Sequence, residues 1–141
     1  MIKIRRGMDI PLAGSPAQSI DETAVARTVA LVGPDYIGMK PTMEVAVGDV
    51  VKRGQLVFTD KKMAGVKYTA PAGGKVVAIN RGARRVFQSL VIEIDGDEEA
   101  EAFGVYSEAE ARQLDAATIR QQLIDSGQWT ALRARPYSKV A

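Results

Sequence analysis

The chain has 141 residues, 46% hydrophobic and 26% charged, a length and balance that suit one compact domain with a buried core. With 19 Lys and Arg against 17 Asp and Glu, the net charge of +2 lacks the density of a nucleic-acid binder. The absence of Cys and His excludes thiolate- or imidazole-held zinc, haem and iron–sulfur centres, and with them Cys–His and Ser–His–Asp catalysis.

No pair of Asp, Glu, Lys or Tyr stands in a recognisable acid–base arrangement, so an independent enzyme is not expected. The N-terminus Met1-Ile2-Lys3-Ile4-Arg5-Arg6 lacks the apolar core of a signal peptide, and no apolar run approaches the ~18–20 residues of a membrane span. These features predict a soluble protein on the cytosolic side. Gly7 to Pro16 carries two prolines and two glycines and predicts an extended, turn-rich lead-in along the surface. Ala24 to Val32, ending in Val29-Ala30-Leu31-Val32 before Gly33-Pro34-Asp35, suits a buried strand.

From Thr42 the pattern predicts short strands with glycine turns. Met43, Val45 and Val47 alternate with Glu44 and Ala46. After Gly48-Asp49 come Val50-Val51, Leu56-Val57-Phe58, Val66-Lys67-Tyr68, Lys75 to Ile79, and Val86 to Ile94. Gly48 and Gly54 fall where tight connections need positive φ. Leu90, Ile92 and Ile94 alternate with Val91 and Glu93, as on a strand with one buried face. Six short strands predict a closed or folded-over antiparallel unit.

After Ile94 the acidic run Asp95 to Glu101 predicts a solvated connector. Ser107 with Glu110 fits a capping box, and Asp115 is placed to cap a second helix, Thr118 to Ser126, stopped by Gly127 at C′. On that helix Ile119, Leu123 and Ile124 share a face. The tail from Trp129 to Lys139 has no periodicity, and Trp129, Leu132 and Tyr137 ask for a surface to pack on, which predicts a truncated chain.

The order V-x-V-G-D-x-V-x-x-G-Q-x-V over Val45 to Val57, followed by A-P-x-x-G-x-V over Ala70 to Val76, resembles lipoyl and biotinyl carrier domains. Those fold two half-motifs about a pseudo-two-fold, each with a glycine turn and an apolar strand. The fold implied is α+β, mainly β: a barrel-sandwich hybrid module over 40–94, with an extended N-terminal segment, 1–39, packing on it. Residues 95–141 supply the acidic connector, a short C-terminal helical segment and the start of a following domain. In carriers a modified lysine sits at a hairpin tip a fixed distance before Ala-Pro. Lys61 and Lys62 are the candidates here, and a lipoyl- or biotin-type carrier is the alternative function. The gap to Ala70 is one residue too long from Lys62 and two from Lys61. The second half also reads Arg81-Gly82-Ala83-Arg84-Arg85 in place of a Gly-Asp turn, so exposed hairpin charges are the favoured reading.

The opening Ile2-Lys3-Ile4 with Gly7 to Pro16, the Val-Gly-Asp, Gly-Gln and Thr-Ala-Pro-Ala-Gly-Gly blocks, and the ending Ser126 to Val140 resemble the A-subunit of the Na+-translocating NADH:quinone reductase family. That family's A-subunit is longer, so the resemblance implies its N-terminal portion. It further implies a peripheral protein on the cytoplasmic side of the bacterial inner membrane, docked on the other subunits of a sodium pump that oxidises NADH and reduces ubiquinone. FAD, FMN, riboflavin and the 2Fe-2S centre are expected on other subunits, with no cofactor, metal or nucleic acid held by this chain and no catalytic residue in it; ubiquinone is a candidate ligand of the whole A-subunit. The C-subunit of the related Rnf complex and the flavoprotein subunit of respiratory complex I carry a glycine-rich, flavin-approaching loop after a similar Ser-Gly. Here Gln128 to Pro136 is bulky, which argues against flavin or NADH binding of that kind. Arg133 and Arg135 then read as structural or interfacial charges, and Trp129 and Tyr137, whose rings could stack on a quinone, read as core or interface aromatics.

Overall fold

The computed structural model describes residues 7, 13–20, 23, 25–96 and 99–141. Two antiparallel sheets enclose one core. Strand β1 (Thr28–Val32) pairs with β7 (Phe87–Ile94), which pairs with β6 (Gly74–Arg81), which pairs with the short β3 (Val50–Val51). The facing sheet runs β2 (Pro41–Met43), β4 (Leu56–Asp60), β5 (Met63–Thr69). Because side chains alternate across a strand, β7 sends Leu90 and Ile92 inward and leaves Glu93 outside, and a bulge at exposed Gln88 turns Phe87 inward as well. These meet Val57, Phe58, Val66 and Tyr68 from the other sheet. Ring pairing organises the centre: Phe58 stacks on Tyr68 at 4.7 Å, Tyr36 meets Tyr68 edge-on at 4.8 Å, and Phe58 meets Phe87 edge-on at 5.3 Å.

Three features differ from the sequence-based expectation. The strand expected over Ala24 to Val32 begins at Thr28 and is half-buried, because it lies at a sheet edge: Val29 and Leu31 face the core while Thr28, Ala30 and Val32 face out. Ala24 lies outside the described residues, as do 1–6 and 8–12 of the lead-in; 13–20 are exposed and irregular. Val45 to Val47 are not strand. The Asp49 carboxylate accepts from the Ala46 amide at 2.8 Å and Gly48 N–H donates to the Val76 carbonyl, so the backbone turns before β3 and leaves Val47 exposed. The connector is tied down: Arg53 pairs in parallel with Ala100, the Arg53 amide donates to the Glu99 carbonyl, and Lys52 Nζ lies 3.1 Å from Glu99 Oε2. Gly48 and Gly54 do adopt positive φ, 103° and 86°.

Helix α1 (Glu108–Ala111) starts in the expected capping box of Ser107 and Glu110. Helix α2 (Ala116–Asp125) starts at Asp115, whose Oδ1 accepts from the Ala117 and Thr118 amides at 2.8 Å. It docks on β5 through its C-terminal end. Lys67 Nζ pairs with Asp125 Oδ1, and Thr69 Oγ1 donates to the Ser126 carbonyl at 3.1 Å. Ile119 remains exposed. A hairpin of β8 (Arg133–Ala134) and β9 (Lys139–Val140) then returns Val140 to the core, 6% exposed, and Trp129 packs beside it.

Candidate functional site

The hairpin joining β4 and β5 turns on two residues, Lys61 and Lys62, since Asp60 faces Met63 across it. Asp60 holds that turn. Its buried carboxylate Oδ1 accepts from the Lys62 amide at 2.9 Å and from the Lys40 amide at 3.0 Å, while Lys61 N–H donates to the Lys40 carbonyl. One buried carboxylate thus ties the backbones of Lys40 and Lys62 together, with Lys61 bonded to Lys40 beside them, and Lys61 and Lys62 are exposed there.

The opposite sheet adds arginines to the same end. The β6–β7 loop spans Gly82 to Val86 and carries Arg84 (φ 54°, ψ 26°) and Arg85 (φ 61°), two successive non-glycine residues in the left-handed region. Such residues cost on the order of 1 kcal/mol or more each. Between this loop, the hairpin tip and residues 33–41 lies a groove of ≈ 710 Å³. Lys40, Lys61, Lys62, Arg81, Arg84 and Arg85 line it, and among the described residues no acidic one does. Its apolar lining includes Tyr36, Ile37, Met39, Val86 and Phe87. None of the six cations has a side-chain hydrogen bond or ion pair with the described residues. Of these six, sequence reasoning singled out only the two lysines; it read Arg81-Gly82-Ala83-Arg84-Arg85 merely as a missing Gly-Asp turn, although the basic run itself was the available signal.

A second cavity, ≈ 450 Å³, opens where the C-terminal segment meets the module, lined among others by Tyr36, Arg53, Tyr68, Phe103 and Gln128. Tyr68 Oη is buried and has no hydrogen-bond partner among the described residues. Burial first, then the nearby Asp60 carboxylate and Tyr36, push its pKa up to about 12, and burial also raises that of Tyr36. Arg133 sits with its guanidinium carbon 5.1 Å from the centre of the Tyr36 ring, and its Nη1 donates to the Asp35 carbonyl at 3.1 Å. Its charge and donors therefore serve the joint between tail and module. Arg135 is exposed, and Tyr137 is 71% exposed, apart from Trp129, whose Nε1 donates to the Ala141 carbonyl. No ring contact joins the two aromatics. Among the described residues no group of three or more His, Cys, Asp or Glu could hold a metal ion.

Comparison with known proteins matches two family models to this chain. The model of the NqrA N-terminal barrel-sandwich hybrid domain matches residues 2–95, and that of the NqrA second alpha/beta domain matches residues 114–141. The A-subunit of the Na(+)-translocating NADH-quinone reductase of Alcanivorax borkumensis is 60% identical over 140 residues, covering 99% of this chain and 31% of the relative. Its counterpart in Saccharophagus degradans is 64% identical and that in Vibrio alginolyticus 54%, with the same coverage. The chain therefore spans about a third of the length of these curated relatives.

Proposed function

Because the chain belongs to the family of the NqrA N-terminal barrel-sandwich hybrid domain, we propose that it is a structural and docking part of a Na+-translocating NADH:quinone reductase, performing no redox step itself. The observation that carries this reading is the succession of two family matches in one chain, first the barrel-sandwich hybrid over 2–95 and then the second domain from 114. In this reading residues 1–39 pack on the module of 40–94, adding β1 to its sheet, and 95–141 connect it to the next domain. The protein lies peripherally on the cytoplasmic side of the bacterial inner membrane, bound to the other subunits, which carry FAD, FMN, riboflavin and the 2Fe-2S centre; ubiquinone contact belongs to the full-length A-subunit. A sequence with no Cys and no His supports this assignment, since it offers no thiolate or imidazole to a redox centre.

Reconstitution of the pump with and without the full-length A-subunit tests the proposal. It is expected to co-purify with the membrane complex, and NADH:quinone reductase activity is expected to fall without it and return on adding it back. Undiminished activity and assembly in its absence would refute the reading, as would saturable NADH or FMN binding to this chain.

The position of Lys61 and Lys62 at a two-residue hairpin tip favours one second reading, a lipoyl- or biotin-type carrier. Intact mass after co-expression with the corresponding ligase separates the two: an unchanged mass is expected, and an added lipoyl or biotinyl group would establish the carrier.

A further inference from the structure

We propose that the basic groove between the β4–β5 tip, the β6–β7 loop and residues 33–41 is the docking site for an extended, acidic polypeptide segment of another protein of the complex. The inference rests on the docking reading above and adds the surface and the chemistry of what occupies it.

Charge is the first argument. Six of the chain's 19 bases line this groove, so the rest of the sequence holds 13 bases to the chain's 17 acids. The near-neutral whole therefore hides a local pole. Lys40, Lys61, Lys62, Arg81, Arg84 and Arg85 are all exposed and unpaired with described residues, so the groove concentrates positive charge that an acidic segment would complement.

The backbone supplies the second. Arg84 and Arg85 hold two consecutive left-handed conformations in a loop where glycine would be less strained, yet both positions carry arginines that line the groove. Guanidinium matches carboxylate in a planar, two-pronged geometry.

Shape decides the class of occupant. The cations stand on three separate chain segments around a concave groove whose lining also includes Tyr36, Met39 and Phe87, with Ile37 and Val86 exposed beside them. A segment that alternates carboxylates with apolar side chains satisfies both the rim and the lining. A bilayer surface would meet the rim and leave the lining uncovered. Nucleic acid would also encounter the net-acidic remainder of the chain.

The test uses the full-length A-subunit with and without Arg84→Glu/Arg85→Glu. Two readouts are taken: its retention on the purified membrane complex, and binding of a labelled synthetic peptide of alternating Glu and Leu. Wild type is expected to bind the peptide with an affinity that falls as salt rises to about 0.3 M, and the double variant to bind it roughly tenfold or more weakly and to dissociate from the complex at lower salt. Arg84→Gly/Arg85→Gly, which removes the charge while relieving the backbone, is expected to reproduce the weakening, so a folding defect of the glutamate variant cannot imitate the result. Equal peptide binding by wild type and both variants, or no binding by any, overturns the proposal. So does arginine-dependent binding to phosphatidylglycerol-containing vesicles in place of the peptide, which would make the groove a membrane contact. If the wild-type protein assembles and the variants assemble equally well, the docking site lies elsewhere while the docking function stands. If wild type itself is absent from the complex, the docking function has failed.

Discussion

The phenol of Tyr68 shows how a single atom sets both a stability term and its pH dependence. Its ring is stacked in the core while its hydroxyl finds no partner among the described residues, and an unsatisfied buried hydroxyl costs about 1–3 kcal/mol. Tyr68→Phe keeps the ring and removes the cost, so its denaturation midpoint is expected to equal or exceed that of wild type. In the unfolded chain the phenol ionises near 10, in the folded chain near 12. Between those values the unfolded state holds fewer protons, so the stability present in full below pH 10 is lost as pH rises towards 12, by up to about 2.7 kcal/mol for two pKa units. Tyr36 adds in the same direction. Urea titrations at pH 9 and pH 11 check this: the fall in wild type should shrink in Tyr68→Phe, and equal falls would show that Tyr68 is not the responsible group. The sequence marked Tyr68 as a strand residue, but hydrogen-bond satisfaction depends on atoms from Asp60 and Tyr36, distant in sequence or on another strand, and no local pattern reports it.

At the scale of elements, signals that act within a few residues were legible. Ser107 with Glu110, Asp115 before α2, and Gly127 after it all sit where the helix boundaries fall, because capping is a contact between neighbours in sequence. Their tertiary load was not legible. A Cβ placed on Gly127 would lie 2.3 Å from Thr69 Oγ1, and Thr69 also hydrogen-bonds Ser126, so the end of α2 is pressed against β5. Gly127→Ala is therefore expected to cost more than the ~1 kcal/mol of a left-handed alanine. Adding Thr69→Ala should recover part of the excess, through removal of the clashing hydroxyl. Additive losses in thermal denaturation of the two single variants and the double variant would mean that the junction is loose. Strand edges were legible in kind, with β7 matching its alternation, but the exposure of β1 and the turn at Ala46–Asp49 follow from which strands neighbour one another.

For the whole molecule, the question is how far the C-terminal segment belongs to the core. Val140 is buried, Trp129 packs on the same cluster, and Arg133 ties the tail to Asp35 and Tyr36. Deleting residues 128–141 uncovers these contacts and is expected to lower stability by roughly 3 kcal/mol or more. Chemical denaturation of the shortened chain checks it; an unchanged midpoint would mean that the module stands alone. Among the described residues no helix is long and apolar enough to cross a membrane. The sequence by itself determined the alternating strands, the helix caps, the barrel-sandwich class and the family, because period, turn chemistry and motif order are carried by residues close together in the chain. It also determined that no thiolate or imidazole is present. Only the tertiary structure decided that six cations from three segments meet in one groove, that Asp60 ties Lys40 to the hairpin at Lys62, and that Val140 enters the core. Those facts depend on which distant segments the two sheets bring face to face, and net charge and spacing average such placement away.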